Sequence, residues 1–131
     1  MRVITFGTFD VFHVGHVNIL ERAKDQGNHL IVGVSSDQLS KIKKQRYPIY
    51  SQEDRIHIIS ALDCVDEVFI EESLELKAEY IKTHKADILV MGDDWHGKFD
   101  HLSNLCQIIY LPRTPSISTT EIIEIVKTDR T

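Results

Sequence analysis

Two histidines stand three residues apart near one end of the chain, in Gly7-Thr8-Phe9-Asp10-Val11-Phe12-His13-Val14-Gly15-His16. The apolar run Val3 to Phe6 precedes this string and a helical pattern follows it, so the pair falls at or just inside a helix start. That spacing brings both rings to one helix end, where unpaired amides and the helix dipole favour an anion. Gly7 and Gly15 let the backbone come close to a ligand. Two imidazoles and a helix N-terminus meeting at one point describe a phosphate site. Metal binding is the plainer alternative, but no cysteine or third histidine lies nearby to complete a ligand set.

Three other places carry matching chemistry. Lys41, Lys43, Lys44 and Arg46 form the one strongly basic stretch, placed to fold over a bound triphosphate as a mobile flap. Met91-Gly92-Asp93-Asp94-Trp95 sets carboxylates directly after an apolar run. They suit donor groups on a base or ribose, or a magnesium ion, and suit a capped turn equally well. Arg113-Thr114-Pro115-Ser116-Ile117-Ser118-Thr119-Thr120 joins a guanidinium that forks onto phosphate oxygens to hydroxyls at a helix start. Two anion sites facing one another would fit a triphosphate. Tyr47, Tyr50 and Trp95 read as packing residues rather than platforms for a base.

The elements that must position these groups alternate along the chain. Strands are expected at Val3 to Phe6, His29 to Ser35, Asp66 to Ile70, Asp87 to Met91 and Ile108 to Leu111, each a short apolar run. Helices are expected from Val14 to Gln26, briefly after Ser36 and Asp37, from a Ser51 cap through Leu62, from Leu74 to His84 and from Ser118 to Lys127. Strand then helix throughout, with no hairpin signature, predicts an α/β fold: one parallel five-stranded sheet with helices on both faces. Ligands of such sheets bind beyond the carboxyl ends of the strands, where the strand order reverses. The histidines, the Met91–Trp95 segment and the Arg113–Thr120 segment all follow strands directly.

Composition bounds the rest. At 131 residues the chain fits one domain, residues 1–131. A net charge of −5 makes the whole surface a poor trap for nucleic acid, so a bound polyanion needs a local cluster of cations and amides. No apolar run reaches the roughly 18 residues of a membrane span. The sequence starts straight into its first strand without a leader, and its two cysteines, Cys64 and Cys106, lack metal-ligand spacing and read as buried thiols. A cytoplasmic address is expected.

Taken together, Gly7-Thr8-Phe9-Asp10 with His13-Val14-Gly15-His16, Arg55, Met91-Gly92-Asp93-Asp94-Trp95 with Gly97-Lys98-Phe99-Asp100, and Arg113-Thr114 with Ile117-Ser118-Thr119-Thr120 resemble the H-x-G-H cytidylyltransferases. The resemblance is strongest to the bacterial glycerol-3-phosphate cytidylyltransferases, and it covers essentially the whole chain. It implies a Rossmann-like fold, usually a homodimer, that moves CMP from CTP to a phosphorylated alcohol with Mg²⁺ carried mainly by the nucleotide phosphates. It also implies roles. His13 and His16 would contact the triphosphate with Lys43, Lys44 and Arg113, and Thr8, Phe9, Asp10 and Gly92 would line the nucleotide. Asp94 would read the cytosine amino group, Thr114, Ser118 and Thr119 would hold phosphates and ribose, and Asp10 would be a candidate at the metal. Arg55 and position 63 would face the acceptor. The family usually has an arginine before Tyr-Val-Asp where this chain has Asp63-Cys64-Val65-Asp66. A carboxylate there would favour an acceptor carrying a cation, and a phosphocholine, ethanolamine-phosphate or phosphonate substrate is the alternative acceptor. The closing segment also departs, with Pro115 and Ser116 in place of glutamate and glycine. An adenylyltransferase of the same fold and a non-catalytic nucleotide-binding module are the remaining alternatives. A CDP-alcohol product would suit teichoic-acid-like or capsular polymer synthesis.

Overall fold

A computed structural model of the chain describes residues 1–113 and 118–128. Five strands, β1 (Arg2–Gly7), β2 (His29–Ser35), β3 (Glu67–Glu71), β4 (Ile88–Gly92) and β5 (Gln107–Leu111), form one sheet in the order β3-β2-β1-β4-β5. Every pairing is parallel. The helices are α1 (Val14–Lys24), α2 (Asp37–Lys44), α3 (Gln52–Ser60), α4 (Lys77–Thr83) and α5 (Thr119–Lys127).

The period of two in the strands divides the core. Val3, Leu30, Val32, Val34, Ile88 and Val90 point to one face and pack with Leu20 and Ala23 of α1 and Ile59 of α3. Ile4, Phe6, Ile31, Leu89 and Met91 point to the other and meet Ile81 of α4 with Phe99 and Leu102. Both faces are therefore covered, as a parallel sheet requires. In β2, Gly33 is the gap that makes this second face fit. A Cβ there would lie 2.6 Å from the Phe6 ring and 2.8 Å from the Phe69 ring, and those two rings meet edge to face at 5.8 Å.

The element order matches the sequence reading closely, and two segments differ. The expected helix from Leu74 begins as a 3₁₀ turn, Leu74–Leu76, capped by Ser73, and becomes α-helical only at Lys77. The basic stretch is not a free flap. Lys41, Lys43 and Lys44 occupy the last turns of α2, where cations oppose the negative end of the helix dipole. The segment that follows is held from below, as the site geometry shows.

Candidate active site

The chain order turns back between β1 and β4, so the connections leaving these two neighbours diverge and open a crevice beyond their carboxyl ends. A cleft of about 590 Å³ fills that crevice, within the usual size for a small-molecule site. Its floor is Phe6 and Gly7 of β1 with Met91 and Gly92 of β4. His13 and His16, Lys43 and Lys44, Asp94 and Arg113, and Ser118 to Thr120 stand around the rim.

The loop from Gly7 to His13 is curled by two residues in the left-handed region, Phe9 (φ 54°) and Val11 (φ 46°). A β-branched residue in that conformation is rare and stores strain of order 1–3 kcal/mol, as loops that present functional groups often do. The curl folds the Phe9 ring back over Gly7, where a Cβ would meet it at 2.8 Å. Phe9 is consequently buried, 7% exposed. Asp10 is buried as well, and its two carboxylate oxygens accept the backbone N–H groups of Ile49 (2.7 Å) and Tyr50 (2.9 Å). The Asp10 carboxylate thus ties down the loop after α2. Its backbone carbonyl accepts the Thr119 hydroxyl at 2.7 Å, which fastens the start of α5 to the same loop.

The loop delivers the histidine pair to the N-terminus of α1 in a reciprocal cap. His13 Nδ1 accepts the Gly15 N–H at 3.0 Å, and His16 Nδ1 accepts the His13 N–H at 3.1 Å. This is a capping box built from imidazoles. It settles the tautomer, because a neutral ring that accepts at Nδ1 carries its proton at Nε2. The rings stack 3.8 Å apart, with Phe12 stacked behind His16. Burial, then repulsion from His13 when that ring is protonated and from Lys44, pushes the His16 pKa down to about 3. Burial and the nearby Arg113 lower that of His13. Both are neutral N–H donors at physiological pH, placed where a helix end already favours anions.

Cations complete the wall. Lys43 is half-buried, and its ammonium donates to Ser35 Oγ at 2.8 Å. Desolvation brings its pKa down to about 8 against the opposing pull of Glu71. Lys44 and Arg113 are exposed, and Arg113 Nη1 reaches Asp94 Oδ2 at 3.2 Å. The pair thus holds together the two segments expected to read base and phosphate. Ser118 caps α5 through the Glu121 N–H. Thr114, with Pro115 and Ser116, lies outside the described residues. Tyr47, expected to pack, is instead 53% exposed and lines the cleft beneath the Lys41 ammonium.

Two expected acceptor residues are not brought to the cleft. Arg55 is fully buried, and its guanidinium is spent on the protein itself. It donates to the carbonyls of Tyr50, Thr8 and Ser35 at 3.1, 2.9 and 2.8 Å and to Asp37 Oδ1 at 2.8 Å. One side chain so joins the strained loop, the end of β2, the start of α2 and the loop before α3. Its effect on the site is to fix the shape of the wall. Asp63 lies in the turn entering β3, beside Cys64, whose thiol has Glu21 and Lys24 in the last turns of α1 among its charged neighbours. The histidines cap the other end of that 11-residue helix, roughly 16 Å away at 1.5 Å per residue.

Sequence reasoning missed Ser35, Glu71 and Lys77, which form a buried polar cluster behind Lys43. Glu71 is 0% and Lys77 3% exposed, and they are hydrogen-bonded as an ion pair. The one available signal was Glu71 closing an apolar strand. Lys77 resembles any solvated helix residue.

A parallel α/β domain with a switch-point cleft, two helix N-termini and a surplus of cations is a nucleotide-polyphosphate binding fold. The chain belongs to the cytidylyltransferase-like family, whose model matches residues 4–125. It is 50% identical over 121 residues to the glycerol-3-phosphate cytidylyltransferase of Bacillus spizizenii, covering 92% of this chain and 93% of that protein. Over 94 residues it is 43% identical to an FAD synthase of Pyrococcus abyssi, covering 72% of this chain and 64% of the relative. The fold is shared with a lipopolysaccharide core biosynthesis protein of Thermoplasma volcanium, at a TM-score of 0.78 and 25% identity, covering 87% of this chain and 98% of that structure.

Proposed function

We propose that the protein transfers CMP from CTP to glycerol 3-phosphate, forming CDP-glycerol and pyrophosphate. The observation that carries this reading is the imidazole capping box, which presents two neutral Nε2–H donors at a helix N-terminus among Lys43, Lys44 and Arg113. The likeness to the Bacillus enzyme along nearly the whole of both chains supports the choice of nucleotide and acceptor.

In the reaction, an oxygen of the acceptor phosphate attacks the α-phosphorus of CTP in line with the bond to the β-phosphate. The new P–O bond forms as the α–β bridging bond breaks, and pyrophosphate leaves with that electron pair. The nucleophile is already an anion near neutral pH, so no base is needed. Alignment and charge neutralisation remain for the protein to supply. His13 and His16 donate to the oxygens on which charge grows, and the low dielectric of the cleft strengthens both bonds. Lys43, Lys44 and Arg113 offset the charge of the departing pyrophosphate. Asp94, swinging from Arg113, accepts from the cytosine amino group. Thr8, Phe9 and Gly92 shape the nucleotide's bed, and Ser118, Thr119 and Thr114 close it from the α5 side.

Mg²⁺ would arrive with the triphosphate, and the chemistry it would supply is neutralisation of phosphate charge, alongside Lys43, Lys44 and Arg113. Both oxygens of Asp10 are engaged by amides, and among the described residues no group of three histidine, cysteine or carboxylate side chains is placed to hold a metal. A homodimer, a cytoplasmic location and a role in teichoic-acid-like or capsular polymer synthesis complete the proposal.

Pyrophosphate release measured with CTP and Mg²⁺ across glycerol 3-phosphate, phosphocholine and ethanolamine phosphate, with ATP as control nucleotide, tests the reading. The expected result is turnover with CTP and glycerol 3-phosphate that EDTA abolishes. Turnover only with ATP, or only with a cationic acceptor, would replace the substrate assignment.

A further inference from the structure

Behind the cleft runs a chain of polar groups that the transfer chemistry does not itself use. The Lys43 ammonium, at the cleft wall, donates to Ser35 Oγ at 2.8 Å. Ser35 Oγ faces Glu71 Oε1 at 3.4 Å, and Glu71 Oε2 is the hydrogen-bonded partner of the Lys77 ammonium. Beyond Lys43 the chain is interior: Ser35 and Glu71 are 0% and Lys77 3% exposed. The Lys77 ammonium also sits 4.2 Å above the Phe6 ring, on the reverse of a cleft-lining residue.

A buried carboxylate between two cations is costly to desolvate and is weak evidence for stability by itself. Its placement has another consequence. Lys43 is a four-carbon stem bearing a rotatable ammonium, and on this wall only a fixed partner keeps it at one place. We propose that Glu71 is a positioning residue of the cleft: acting through Ser35 it holds the Lys43 ammonium at the phosphate site, with Lys77 as the counter-cation that keeps the carboxylate buried.

Lys43 is faced by Glu71 from β3, Lys77 from α4, Lys44 from α2 and Arg55 from α3. Of these only Glu71 favours the charged ammonium; burial and the three cations oppose it. Removing the Glu71 charge therefore lowers the pKa of Lys43 below its present value of about 8, and the cation is lost earlier as pH rises. Removing Lys77 as well takes away an opposing cation and returns part of the shift.

The inference rests on the cleft being the triphosphate site, and its test has a readout independent of turnover. Competitive acetylation across pH, mapped by mass spectrometry, gives the titration midpoint of Lys43 in the apo-protein, alongside kcat, KM for CTP and the pH profile. Glu71→Gln is expected to lower the Lys43 midpoint and shift the basic limb of kcat/KM the same way, with kcat down by about 10–100-fold, the size usual for partners that orient a functional group. Glu71→Gln/Lys77→Met is expected to recover part of the midpoint. Ser35→Ala, which removes one hydroxyl and leaves the Glu71–Lys77 pair, is expected to lower kcat with little change in KM. An unchanged Lys43 midpoint in folded Glu71→Gln would overturn the proposal. So would wild-type kcat in Ser35→Ala, which decides the matter if Glu71→Gln does not fold. A wild-type protein inactive toward CTP whose Lys43 still responds to Glu71 would reject the assigned reaction and keep the positioning role.

Discussion

The two ends of the sheet are both rich in charge, and they handle it in opposite ways. At the amino end, Glu67 takes the Arg2 guanidinium at 2.9 Å and the His29 ring at 2.5 Å. Beside it, Asp66 takes Lys24 at 2.7 Å and the Leu30 N–H at 2.8 Å. Every one of these groups has found its partner within the chain. The hydrogen bond from His29 holds the Glu67 carboxyl below its usual range, and that from Lys24 does the same for Asp66. At the carboxyl end, burial pushes the charged forms of His13, His16 and Lys43 away, and their cationic neighbours repel them further. One end is closed electrostatically. The other gathers cations and neutral N–H donors, and the strained loop and two helix N-termini face the same cleft.

That contrast can be broken from either side. The largest effect is expected at the histidines. His13→Asn keeps a side-chain oxygen to cap α1, since asparagine is among the best N-caps, but removes the Nε2–H donor. Turnover should fall by about 10²–10³, the usual loss for one such donor, with the melting temperature little changed. A folded variant retaining wild-type turnover would show that the pair is only a cap. Next comes Arg55. Arg55→Ala leaves three carbonyls and Asp37 without their donor, and a loss of about 3–5 kcal/mol is expected in chemical denaturation. Arg55→Lys should rescue little, because one ammonium cannot span a planar fork. Gly7→Ala drives a Cβ into the Phe9 ring and should cost about 1–3 kcal/mol together with activity. The smallest effect belongs to the amino end. Glu67→Gln breaks part-exposed pairs and should cost under about 1 kcal/mol without touching kcat.

The same contrast has a pH signature. His16 binds its proton at about 3 when folded and near its ordinary 6.5 when unfolded, so between those values the unfolded chain holds more protons and stability rises with pH. Its contribution is complete above about 6.5 and is lost as pH falls toward 3. Glu67 works in the same direction, but only below its ordinary 4.5. Denaturation midpoints between pH 4.5 and 6.5 should therefore be flatter in His16→Gln and unaltered in slope in Glu67→Gln.

Much of this was legible in the sequence, for definite reasons. Strands such as His29–Ser35 are apolar on both faces, Ser36, Ser51 and Ser118 are caps, and the histidine string sits between a strand and a helix. Each signal is local. What escaped depended on contacts far apart in the chain. Asp10 looked like a ligand residue, and only its bonds to Ile49 and Tyr50, 39 and 40 positions away, reveal a tether. Arg55 suited an acceptor phosphate until the carbonyls of Thr8 and Ser35 were found within its reach. The basic stretch suggested a flap because no local pattern shows that the loop after it is pinned. Lys77 and Glu71 are ordinary in sequence, and their partnership is a property of burial.

The most direct test of the triphosphate site is the side-chain ¹⁵N spectrum of the histidines at neutral pH, recorded as CTP and Mg²⁺ are added. His13 and His16 should both appear as neutral Nε2–H tautomers in the free protein, and both Nε2–H signals should move on CTP addition while His29 stays still. Nδ1–H tautomers, charged rings, or a pair indifferent to CTP would contradict the reading of the cleft as a triphosphate site.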